Sequence, residues 1–316
     1  MRALIVAAVI FSVQFAHAQQ YPAKAIRVIV PFAPGGPSDF LIRTVGQKLT
    51  EAWGQQLIVD YRGGAAGIVG ADLVAKSAPD GYTWVIATNG THGINASLYS
   101  KLPYDTVKDF APVTRLGYAP YVLVAHPSLP VRSVKELVAL ARLRPGEINW
   151  SAGGSPSQLS AELFKKTAGI NVAVIPYKGN SLAVTAALSG EVSLTFGSIT
   201  QSSPQVKAGR LRALGVGSLK RSPVIPDVPA IVEFGYAGFE AGAWYGVLVQ
   251  GATSRAIVDR INSEIVRVLN LPDVRQRLRG EAFDIPADTP EQFAAVIRAE
   301  LVKWAPIVKA AGLRVE

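Results

Sequence analysis

Two rhythms of hydrophobic and polar positions replace each other along almost the whole chain. Residues 26–30, Ile-Arg-Val-Ile-Val, form a nearly continuous β-branched run, the mark of a strand covered on both faces, and 57–61 and 83–87 repeat it. Between the first two runs, Leu41, Val45 and Leu49 recur every fourth position on one helical face, with Ile42 beside them. Between the second and third, the pattern predicts a short helix over 68–76, ended by the Pro79-Asp80-Gly81 turn. The order βαβαβ predicts a parallel sheet with right-handed crossovers.

The same order resumes at Tyr121. A strand is predicted over 121–125, a helix over 134–143 behind the Ser133/Glu136 capping box, and a strand over 148–151. Ser155 and Gln158 form a second box, with Pro156 at the first helical position, so a helix runs to about Thr167. Strand 172–175, helix 181–189, strand 192–196, a short helix to Lys207 and strand 211–216 complete a second parallel-type unit. After Pro223 the chain turns Pro- and Gly-rich, and 244–249 reads as one more strand. Two amphipathic helices follow, one striped by Ile257, Ile261 and Ile265, the other led by the Thr289/Gln292 box into Phe293, Ile297 and Leu301. This tail cannot make a third domain, so it returns to the first. The expected architecture is α/β, with domain 1 from 19–121 plus 243–316 and domain 2 from 122–242. The chain would cross between them twice, near 118–122 and 241–245.

The N-terminus stands outside this pattern. Arg2, an apolar stretch interrupted only by Ser12 and Gln14, and Ala16-His17-Ala18 before Gln19 make residues 1–18 a cleavable signal peptide, cut after Ala18. The apolar run is too short for a membrane span, which needs roughly twenty residues. The chain has no Cys, which excludes disulfides, Cys-ligated metal clusters, a thiol nucleophile and a lipidated N-terminal Cys. The mature protein is therefore expected in the periplasm, soluble, monomeric and not membrane-inserted. Its 49% hydrophobic and 17% charged residues exclude a disordered chain. The formal net charge of +9 is spread out, and its densest group, Arg275, Arg277 and Arg279, falls on a predicted helix without stacking aromatics. Nucleic-acid binding is thus not expected, while a diffuse positive field favours encounter with small anions.

In parallel α/β sheets, ligands bind at the carboxyl ends of strands. Three loops there have unusual composition: Pro31-Phe32-Ala33-Pro34-Gly35-Gly36-Pro37-Ser38-Asp39, Arg62-Gly63-Gly64-Ala65-Ala66-Gly67 and Ser151-Ala152-Gly153-Gly154-Ser155-Pro156-Ser157. Each joins glycines, which let backbone N–H groups approach a ligand, to a helix start whose free amides favour an anion. Glycine and proline also shape plain tight turns, so one such loop decides little; three at equivalent strand ends indicate carboxylate or phosphate cradles. No P-loop, dinucleotide fingerprint or G-x-S-x-G is present. His126 reads as structural, His92 follows the third strand and could lie near the expected cleft or pack structurally, and no convergent ligands suggest a metal. Asp39 and Glu162 could each act as a base, but neither has a second group to complete an acid–base pair, so an enzyme is not expected.

Tyr21-Pro22, the run from Ile26 to Gly36 with Asp39, Arg62-Gly63-Gly64-Ala65-Ala66-Gly67, Pro79-Asp80-Gly81-Tyr82-Thr83, Pro176-Tyr177-Lys178-Gly179, Pro226-Asp227-Val228-Pro229 and Trp244-Tyr245-Gly246 occur in this order. Together they resemble the Bug family of periplasmic solute receptors, the TctC-type receptors of tripartite tricarboxylate transporters. The resemblance implies a two-domain, type II-like periplasmic-binding-protein fold that closes over a small carboxylate and delivers it to integral-membrane transporter subunits, with no cofactor. By position it implies that Phe32, Ala33, Pro34, Gly35, Gly36, Ser38, Asp39, Ala65, Ala66, Gly67 and Thr88 line the site from the first domain. Ser151, Gly153, Gly154, Ser155 and Tyr177 would face them from the second. Where many members carry an acidic residue after Phe196, this chain has Gly197-Ser198. With Gly197 facing the ligand, the site would disfavour a solute whose ammonium needs a carboxylate partner. A ligand sensor for a signalling partner remains the alternative to a transport receptor.

Overall fold

The β-branched runs and amphipathic stretches resolve, in a computed structural model describing residues 21–177 and 180–313, into nine strands and ten helices. The expected signal peptide and its cleavage point lie outside the described residues. In chain order the elements are β1 (Ile26–Val30), α1 (Pro37–Trp53), β2 (Leu57–Tyr61), α2 (Ile68–Ala75), β3 (Thr83–Thr88), α3 (Asn95–Leu98) and β4 (Phe110–Ala125). There follow α4 (Val134–Leu143), β5 (Asn149–Ala152), α5 (Ser155–Ala168), β6 (Ala173–Pro176), α6 (Asn180–Leu188), β7 (Leu194–Ser198), α7 (Ile199–Lys207) and β8 (Arg212–Val216). The chain ends with β9 (Gly242–Gln250), α8 (Arg255–Leu269), α9 (Pro272–Gly280) and α10 (Pro290–Ala310).

The sheet order is β2-β1-β3-β9-β4-β7-β5-β6, with β8 also paired to β4. As expected from covered β-branched strands, β2-β1-β3 and β6-β5-β7 are parallel. The sheet as a whole is mixed, because β4 and β9 run antiparallel to their neighbours. The sixteen-residue β4 is longer than the 121–125 strand that the sequence pattern predicts. Its first part carries Pro112, Gly117 and Pro120 and two register shifts against β9, features that interrupt hydrophobic alternation without ending the strand. Phe110 to Pro120 pair with β9, whereas Tyr121 to Ala125 pair with β7 and, from Val122, with β8.

The tail packs on the first helix of the chain. Ile261 and Ile265 of α8 share a buried cluster with Leu41, Val45 and Leu49 of α1. A further contact was not legible. Between α9 and α10 the chain pairs Asp284 with Tyr118 of β4 in an antiparallel bridge, and the Thr200 hydroxyl of α7 donates to the Glu281 carbonyl. Ala282 packs among second-half residues, while Asp288 pairs with Arg115 at 2.5 Å. Residues 281–288 thus form a strap across both halves, flanked by Ala282 and Ala287 in left-handed backbone, φ +60° and +50°.

Candidate functional site

The turn after β1 is built by a residue of the helix that follows. Asp39, in the first turn of α1, accepts from the Gly35 N–H at 2.9 Å, Arg43 Nε at 2.6 Å and the Tyr61 hydroxyl at 2.5 Å. Burial pushes this carboxyl's pKa upward, but the three donors outweigh it and hold the group below its ordinary value. Asp39 is therefore ionised, neutralised by Arg43, and occupied in shaping the loop. Ala33, Pro34 and Gly35 stand exposed, Phe32 and Gly36 half-buried and Ser38 buried, with Gly35 at φ +82°.

The second loop is the most strained backbone at the site. Gly64, Ala65, Ala66 and Gly67 take φ of +135°, +44°, +53° and +88°, and the Gly67 N–H closes the turn on the Gly64 carbonyl at 2.9 Å. For an L-alanine the left-handed region costs about 1–2 kcal/mol. The side that holds the turn comes from the segment after β3. Asn95 Nδ2 donates to the Ala66 carbonyl at 3.2 Å, and a Cβ at Gly67 would lie 2.6 Å from the Thr91 methyl and 3.4 Å from the Phe32 ring. Thr91 is locked to Thr88: the Thr88 N–H donates to Thr91 Oγ1 at 3.0 Å and the Thr91 N–H to Thr88 Oγ1 at 3.3 Å. Phe32, Gly67 and Thr88 are thus brought together; Thr91 and Asn95 were missed because lone polar residues after a strand carry no distinctive spacing.

In the second half, Gly153, Gly154 and Ser155 lead into α5, with Gly154 at φ +99°. The Pro156 ring comes within 3.4 Å of the Cβ position of Gly90, so the start of α5 faces the loop after Thr88. Other expected residues are engaged elsewhere. Ser151 is fully buried and its hydroxyl donates to the Ala183 carbonyl at 2.8 Å. The Tyr177 hydroxyl donates to Glu191 at 2.8 Å, and Ser198 caps α7 by accepting from the Gln201 N–H. At Gly197 a Cβ would strike Ser202 Oγ of α7 and lie 3.0 Å from Val184 of α6, so this position turns into the packing rather than toward a ligand.

The three helix starts share a property. Gly36, Gly67 and Gly154 cap α1, α2 and α5 without any side-chain hydrogen bond, whereas Ser133, Ser198 and Thr289 cap α4, α7 and α10 with theirs. α8 and α9 also lack such a bond, but neither starts from glycine at the end of a parallel strand. First-turn N–H groups left without a side-chain cap are donors for an anion.

His92 does not reach this cleft. It is fully buried against Tyr104 and Phe110, its Nδ1 lies 2.8 Å from Thr91 Oγ1, and burial drives its pKa down to about 3. Among the described residues no group of three His, Asp or Glu could hold a metal, and no helix is long and apolar enough to cross a membrane. A separate groove of about 700 Å³ is lined by Arg115, Tyr118, Glu240, Trp244, Asp284 and Glu300 among others, with charges of both signs and none of the candidate ligand-binding residues.

The profile described as Tripartite tricarboxylate transporter family receptor matches residues 41–313. The chain belongs to the tripartite tricarboxylate transporter receptor family. It is 34% identical to the protein BugT of Bordetella pertussis, over 95% of this chain and 93% of that one. Solved structures are similar over nearly the whole chain. One is Rpa4515 of R. palustris with adipate, at TM-score 0.84 and 34% identity over 93% of this chain and 99% of that one. Another is MatC from Rhodopseudomonas palustris with bound malate, at TM-score 0.80 and 31% identity over 91% of this chain and 100% of that one.

Proposed function

We propose that this receptor captures a small organic anion in the periplasm and hands it to the integral-membrane subunits of a tripartite tricarboxylate-type transporter. The two halves act as lobes, 19–121 plus 243–316 and 122–242, and close over the solute about the crossing where β4 exchanges β9 for β7 and β8. One ligand carboxylate sits on the backbone N–H groups of Gly36, Ala65 and Ala66, beside Thr88, while the Gly35 and Gly67 N–H groups shape the two loops through Asp39 and the Gly64 carbonyl. A second polar end meets Gly153, Gly154 and Ser155 at the start of α5. Contacts made only in the closed form draw the hinge equilibrium toward closure.

The observation that carries this reading is the set of three glycine-capped, side-chain-free helix starts, two in one half and one facing them from the other. Two similar solved structures hold adipate and malate. Asp39, whose oxygens are engaged by Gly35, Arg43 and Tyr61, is poorly placed to hold an ammonium, so the preferred solute carries no amine. A thermal-shift series on unfolded and refolded protein tests this with malate, adipate, aspartate and glucose. A true ligand at about a hundred times its Kd adds roughly 2.7 kcal/mol of stability. Malate or adipate should raise the melting point and glucose should not; aspartate raising it more than malate would overturn the ligand class.

A further inference from the structure

We infer that Asn95 is a positioning residue for the anion cradle, a role that rests on the carboxylate-receptor reading above. Two alanines in succession, Ala65 and Ala66, hold left-handed backbone that L-residues disfavour, and Gly67 continues it. Such a turn persists only where its surroundings over-determine it. Within the turn itself, the Gly67 N–H and the Gly64 carbonyl make one closing bond. From outside, the carbonyl of Ala66 is held by a side chain, the amide of Asn95, at 3.2 Å. Asn95 is fully buried at the start of α3, behind the turn and not in front of it, and so does not itself touch a ligand in the cleft.

The direction of that bond matters. Fixing the Ala66 carbonyl toward α3 sets the peptide plane between Ala66 and Gly67, whose N–H end closes on the Gly64 carbonyl, and so locks the turn that presents the Ala65 and Ala66 amides. Thr91 fixes the same turn from beside Asn95, because its methyl fills the space that a side chain at Gly67 would need. The segment from Thr88 to Asn95 therefore serves as a template for the cradle. Without the Asn95 donor, the alanines relax toward ordinary backbone and the amides no longer converge.

The test uses the full mature chain with malate and adipate as probes. Asn95→Ala should weaken binding about three- to tenfold, the worth of one net hydrogen bond. In an Ala66→Gly background, where left-handed backbone carries little penalty, the same substitution should cost less than twofold. Asn95→Asp keeps the shape and lacks the donor, and should weaken binding as much as Asn95→Ala. Amide exchange, which needs no ligand, should speed up at Gly67, whose N–H closes the turn, in both variants. Equal losses in the two backgrounds, or unchanged affinity and exchange in Asn95→Ala and Asn95→Asp, would overturn the inference. If the parent chain binds neither probe, the carboxylate reading fails instead, and the exchange result alone decides whether Asn95 holds the turn.

Discussion

At the scale of single residues, two buried groups of this receptor respond to acid in the same direction for different physical reasons. His92 stays neutral down to about 3 in the fold, while an unfolded imidazole protonates near 6.5. Between those values the unfolded chain binds the extra proton, so stability falls as the pH drops through that window. His92→Gln should remove this slope, shrinking the stability difference between pH 7 and pH 5 by about 2 kcal/mol, measured by urea titration. Asp39 acts in the same sense from a different cause: its hydrogen-bond donors outweigh burial and lower its pKa, so its contribution is complete above the ordinary carboxylate range and is lost as the pH falls through its folded value. Tyr61→Phe removes a donor to Asp39 and should shift acid unfolding to higher pH. His92 was legible as a residue following β3, but its burial was not, because Tyr104 and Phe110 arrive from distant sequence.

At the scale of elements, the periodicities located nearly every strand and helix because burial there follows one face or both. The glycine-rich loops were legible for a related reason, since positive φ at Gly35, Gly64, Gly67 and Gly154 needs the residue type found there. What could not be read is which way each polar group points. Ser151 and Ser198 have the right type and position, yet their hydroxyls serve Ala183 and the first turn of α7. Gly197 makes the point testable. Gly197→Ala should destabilise by about 1–3 kcal/mol through overpacking against Ser202 and Val184, and Ser202→Gly in the same chain should recover most of it by denaturant titration. The buried Ser202 hydroxyl has no partner among the described residues, so its removal leaves no orphaned group behind.

At the scale of the whole molecule, the halves touch through more than β4 and β9. Leu159 of α5 is buried in one cluster with Ile94, Leu98, Trp304, Ile307 and Val308, which belong to the first half or its returning tail. Separation of the proposed lobes would either break this cluster or pivot on it. Leu159→Ala should cost about 2–5 kcal/mol of stability, as for other buried leucines. If the cluster is a latch, the same variant should also enlarge the ligand-free particle in small-angle scattering; an unchanged radius with lowered stability would identify it as the pivot. Neither this cluster nor the strap at 281–288 was legible, because each depends on which faces of separate helices meet.

The place of β9 between β3 and β4 has a consequence for synthesis of the chain. β3 finds β1 early, but its other partner is the last strand to be made, after every strand of the second half has left the ribosome. Until then β3 presents the open, almost wholly apolar edge Trp84-Val85-Ile86-Ala87, the kind of edge that recruits foreign strands. A chain stopped at residue 241 should therefore aggregate on refolding where the full-length chain does not, and a synthetic peptide of residues 242–250 added in excess should suppress the turbidity.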